Sequence, residues 1–177
     1  MQYADTFETI AEVAIGVAGF ASLVLVLTRD RASQVSEHDS MRTRILLVFS
    51  LSPILLALLP ITLAAGGLEG STLWRLASAV MLIAAAVTWY RTYRNVFQAI
   101  RIAGGVRAGA ASETAGAAFF LPTLAVLSIV HLLSQAANCL AILGAPGPFL
   151  YLVGLLVYLT VAILQFARLV FLRIRSS

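Results

Sequence analysis

Five stretches of this chain, residues 7–28, 45–65, 73–90, 117–143 and 149–172, each run for about 20 residues with almost no charge. A helix rises about 1.5 Å per residue, so a run of that length matches the roughly 30 Å hydrocarbon core of a bilayer. Inside that core the backbone must satisfy its own hydrogen bonds, so such runs read as helices and not open sheets. The expected fold is an all-α integral membrane protein of five transmembrane helices. They form one domain over residues 1–177, and the third helix extends to about residue 103.

Composition agrees. Of 177 residues, 60% are hydrophobic and 11% charged, with a mean hydropathy of +0.95. A soluble domain carries about 25% charged residues, and too little polar surface remains here to coat one. All twelve basic residues are arginine, which excludes chemistry on a lysine Schiff base. Two histidines and one cysteine leave little for a metal cage or a disulfide framework, and neither metal nor cofactor is expected. Cys139 reads as a small packed side chain. Residues 1–7 carry Asp5 and no positive charge, unlike a cleavable signal peptide, so the first run is expected to stay as a span.

The arginines suggest an orientation. Arg29, Arg31, Arg42 and Arg44 lie in the loop 29–44; Arg91, Arg94, Arg101 and Arg107 lie in 91–107; Arg168, Arg173 and Arg175 lie in the tail. The alternate loops, 66–72 and 144–148, have none, and the first holds Glu69. The positive-inside rule then puts the N-terminus outside and the C-terminus in the cytoplasm. Residues 104–116, GGVRAGAASETAG, read as a flexible link. Pro53 and Pro60 should bend the second helix, with neighbouring helices or Ser50 and Ser52 available to the freed carbonyls.

The polar residues inside the spans fall into stripes. Glu8 and Glu12 are one turn apart on a face that continues through Gly16 and Gly19. Ser128, His131, Gln135 and Asn138 follow steps of three and four along the fourth helix, and Tyr151, Tyr158 and Gln165 recur every seven in the fifth. With the N-terminus outside, Glu8, Glu12, Asn138 and Gln135 share the outer half of the membrane with Arg75, the only deep cation there. Two readings follow. In one, Glu8, Glu12, Arg75, His131, Gln135 and Asn138 form an ion or proton path, with carboxylates at the mouth and a titratable imidazole deeper. In the other they are a buried clamp between helices. Small residues such as Ala11, Ala14 and Ala18 suit close helix contacts, and five helices make a thin bundle. A path would therefore need a homo-oligomer, with the first helix lining it.

Arg91, Arg94 and Arg101, with Gln98, share one face of a helix leaving the inner leaflet. They suit membrane lipid headgroups, or else an acidic cytoplasmic partner. Nucleic acid is not expected, because topology already accounts for the basic residues. Asp30, Glu37, His38 and Asp39 read as a solvated loop and not a metal site. No phosphate-cradling loop, nucleophile elbow or HExxH pattern appears, so catalytic residues and enzymatic activity are not expected.

The opening FETIAEVAIGVAGFASLVLVL, followed by a charged loop, resembles the start of small uncharacterised bacterial multi-span membrane proteins. The resemblance covers about the first span. It implies a bacterial inner-membrane protein and carries over no functional residue. The expectation drawn from the polar stripes is a small oligomeric channel or transport protein that conducts a cation or proton near the first span. The alternative is a non-conducting scaffold or accessory subunit of a larger complex.

Overall fold

The computed structural model describes residues 3–29, 37–104 and 111–174. The chain forms α1 (Ala4–Arg29), α2 (Glu37–Ala65), α3 (Gly70–Gly104), α4 (Ala111–Leu140) and α5 (Pro148–Ile174), with no strand among the described residues. Each contains a stretch long and apolar enough to cross a membrane. Asp30 and Arg107 lie outside the described residues, as do the side chains of Glu37, His38, Asp39 and Arg101.

The short turns explain the hairpins. After α2, the amide of Leu68 donates to the Leu63 carbonyl at 3.1 Å and that of Gly67 to Ala64 at 3.0 Å. This closure requires a left-handed residue at Gly67, whose φ is 87°, and glycine adopts it without a Cβ clash. After α4, Ile142 donates to Ala137 at 3.0 Å, but the left-handed position falls on Ala141, at φ 56°. The helix stops at Leu140, short of the expected end at residue 143. The reason is Asn138, whose side chain ties the following loop back onto the helix, as described below.

Consecutive helices pack on one another, and α5 touches all four others. That central place matches a sequence that is apolar almost all round, and Tyr151, Leu155, Tyr158 and Val161 are all fully buried. The most extensive helix pair is α1 with α2, and α1 buries Ala11, Ala14 and Ala21, while Phe7 packs on Trp74 of α3 and Tyr151 of α5. Small side chains let two helices approach closely, which favours this pairing without a hydrophobic drive from lipid. Among the described residues no direct packing joins α1 to α4; both pack on α5.

Two aromatic clusters mark the levels of the bundle. Phe7, Trp74 and Tyr151 meet near the starts of α1, α3 and α5, with ring centroids 5.9–6.0 Å apart. Further along, Phe49 contacts Trp89 at 5.2 Å and Tyr158 at 5.6 Å. Large apolar side chains also point outward, among them Leu55 (72% exposed) and Phe20 (67%). A soluble monomer rarely presents such a surface, whereas acyl chains match it.

Candidate functional site

The polar stripe of α4 faces inward: Ser128, His131, Gln135 and Asn138 are all buried. Asn138 uses its whole amide. Its Nδ2 donates to Ser78 Oγ of α3 at 2.8 Å and to the Gly147 carbonyl at 2.9 Å, and its Oδ1 accepts from the Gly147 amide at 2.9 Å. One side chain therefore joins α3, α4 and the loop into α5. One turn away, Gln135 Nε2 donates to the Leu150 carbonyl of α5 at 2.7 Å. At the far end, the Tyr93 hydroxyl lies 2.9 Å from Ser128 Oγ, which itself donates to the Ala125 carbonyl at 2.8 Å.

The level between these bonds is different. His131 lies edge-on to Tyr158 with ring centroids 4.7 Å apart. Both His131 ring nitrogens, Gln135 Oε1 and Trp89 Nε1 are buried without a hydrogen-bond partner among the described residues. Packing there is tight. A Cβ added at Gly154 would lie 2.5 Å from Gln135 Nε2 and 2.5 Å from Met81 Sδ. Beside Gln135, then, not even a methyl group fits, and the stripe lines no open lumen at that level. Two surface clefts lie elsewhere, and no residue of the α4 stripe lines either.

The aromatic stripe of α5 supplies a contact that spacing alone did not reveal. The Tyr151 hydroxyl donates to the Leu56 carbonyl of α2 at 2.5 Å. Leu56 is the residue whose carbonyl would accept from position 60, where proline has no N–H. The signal was present in the sequence as Pro60, but not its partner. Ser50, by contrast, donates to the Leu46 carbonyl at 2.7 Å, not to the Phe49 carbonyl that Pro53 frees.

The expected meeting of acidic and amide groups does not occur within one chain. Glu8, Glu12 and Arg75 are all exposed, while Gln135, His131 and Asn138 are buried. The reason lies in α1. Its alanine face, beside the carboxylates, takes the contact with α2, which turns Glu8 and Glu12 outward; and α5 stands between α1 and α4. Burying alanine costs nothing comparable to burying an ionised carboxylate, which costs several kcal/mol unless paired. No ion pair involves Glu8, Glu12 or Arg75 among the described residues. Gly16 and Gly19 also face outward, and a Cβ on either would meet nothing within 4 Å.

At the other end of the bundle, Arg91 and Arg94 are exposed and line a cleft between α2 and α3 with Asn95 and Gln98. Ile45 and Val48 form its apolar wall. No group of metal-binding side chains occurs among the described residues.

The fold and its polar interior define a class: a five-helix bundle whose helices can each cross a membrane, tied internally by amides and hydroxyls. Comparison with protein families, with curated proteins and with solved structures finds no significant match to this chain.

Proposed function

We propose that this chain is a non-conducting structural subunit of a membrane assembly, set in a bacterial inner membrane with its N-terminus outside and its arginine-rich end in the cytoplasm. The observation that supports this most is the fate of the α4 stripe. Asn138 and Gln135 spend their donors on α3, α5 and the intervening loop, and Gly154 leaves no methyl-sized space beside Gln135. The interior serves to fix helix positions. The outward face of α1, with Glu8, Glu12, Gly16 and Gly19, is the surface a partner helix covers, since outward glycines and carboxylates are poorly matched to lipid.

The same outward face favours a second reading. If copies of α1 faced one another around an axis, Glu8 and Glu12 would form acidic rings above small residues and pass a cation or proton. Reconstitution into liposomes with a dye reporting cation and proton flux separates the two. The structural reading expects wild type and Glu12→Gln to leak no faster than empty liposomes. Flux through the wild type, lowered by Glu12→Gln in an assembly of unchanged size, would refute it.

A further inference from the structure

The geometry points to a second copy of this chain as the partner that covers α1, with α3 of the neighbour laid along it and the neighbour's guanidinium at position 75 set between Glu8 and Glu12. The inference rests on the structural-subunit reading and names its partner.

Three observations carry it. The first is charge. Glu8 and Glu12 are exposed anions on one flank, and Arg75 is an exposed cation on another helix; none is in an ion pair among the described residues. Glu12 lies about 12 Å along α1 from Ala4, deep enough that water alone is a poor partner.

The second is level. Phe7 and Trp74 have ring centroids 5.9 Å apart, so the residues that follow them, Glu8 and Arg75, stand at the same height in the bundle. Both helices start at this end of the bundle and so run in the same direction, and a rigid-body shift parallel to the membrane brings one surface onto the other without changing depth. The arginine side chain is long enough to span the single helical turn between the two carboxylates.

The third is shape. Below the carboxylates, Gly16 and Gly19 leave bare backbone on the outer surface of α1. Below Arg75, the same face of α3 carries Ala79 and Ala86, four and eleven residues on, with Leu82 and the exposed Ile83 between them. The bare backbone at Gly16 and Gly19 leaves room for the Ile83 side chain of the other copy, where lipid offers no drive of its own. The two surfaces differ and belong to one chain, so the contact is head-to-tail: it closes as a ring or extends as a row.

Charge reversal tests this directly. Sedimentation in mild detergent, with helicity by circular dichroism as the folding control, reads the assembly. Glu12→Arg alone faces arginine with arginine, and Arg75→Glu alone faces acid with acid. Each is expected to raise the concentration at half-assembly by roughly tenfold or more. Combining the two substitutions in one chain should restore assembly, because the charges are then exchanged across every head-to-tail contact, whatever the number of copies. Restoration by the second substitution cannot come from a folding defect. Cross-linking gives an independent arm in a Cys139→Ser background: Val13→Cys copies should form disulfides with Leu76→Cys copies and not with themselves.

Assembly unchanged in both single variants, no restoration in the doubly substituted chain, or self-cross-linking of Val13→Cys would each overturn the inference. If flux is also absent in liposomes, the structural-subunit reading survives that failure with a different partner. If flux is present, that reading fails on its own evidence.

Discussion

Replacing Tyr151 with phenylalanine removes one oxygen and leaves the ring in its cluster with Phe7 and Trp74. What it deletes is the side-chain hydrogen bond to the Leu56 carbonyl, whose i+4 helical donor is absent because position 60 is proline. Hydrogen bonds between membrane helices average about 0.6 kcal/mol, with a maximum near 1.7. A buried group left with no alternative costs about 1–3 kcal/mol. Leu56 and Tyr151 are both buried, and the carbonyl lacks its usual i+4 donor, so the expected loss is about 1.5 kcal/mol. The assay is unfolding in mixed micelles titrated with SDS. The decisive background is Pro60→Ala, which returns an N–H to Leu56. There, Tyr151→Phe should cost less than about 0.5 kcal/mol, giving a coupling of about 1 kcal/mol. Equal costs in both backgrounds would show that the hydroxyl does not serve the proline gap.

Three further outcomes follow from the packing. Gly154→Ala pushes a methyl against the side-chain ends of Gln135 and Met81, which must shift, and should destabilise by about 1–2 kcal/mol in the same assay; combining it with Gln135→Ala should cost less than the sum of the two changes. Asn138→Asp loses both Nδ2 donations, to Ser78 and to Gly147, and should destabilise by about 2–3 kcal/mol; Ser78→Ala should cost less, since it removes one bond of three. Changing Arg91 and Arg94 to glutamine should weaken retention of anionic phospholipid over zwitterionic phospholipid by about thirtyfold in native mass spectrometry, at about 1 kcal/mol per arginine, with the bundle's unfolding midpoint unchanged.

How much of this was legible in the sequence depends on which interaction set each feature. The five helices follow from run length alone, and the α4 stripe from its spacing, because His131, Gln135 and Asn138 have nowhere inexpensive to point except inward. The spacing of Glu8 and Glu12 likewise fixes that they share a face. It does not fix which face turns in. Two adjacent stripes on α1 compete, one acidic with glycines and one of alanines, and the winner is set by what α2 presents. Nor does periodicity tell which helices are neighbours: α5 separates α1 from α4, and so keeps Glu12 away from Asn138. The Tyr151–Leu56 bond needs both pieces of knowledge at once, the missing donor at Pro60 and the side of α5 that meets α2. The early end of α4 depends on a side chain folding back to the loop, which no helix signal encodes.

Helix α3 spans 35 residues, about 52 Å at 1.5 Å each, against a hydrocarbon core of roughly 30 Å. An upright helix of that length would exceed the acyl region by some 20 Å, and the excess falls to the arginine end. The helix is clamped at its other end through Ser78 and Asn138. A sideways load applied near Gly104 therefore acts with a long lever arm on the joint that holds α3, α4 and the turn into α5 together. Whatever docks at the basic end gains mechanical access to the centre of the bundle.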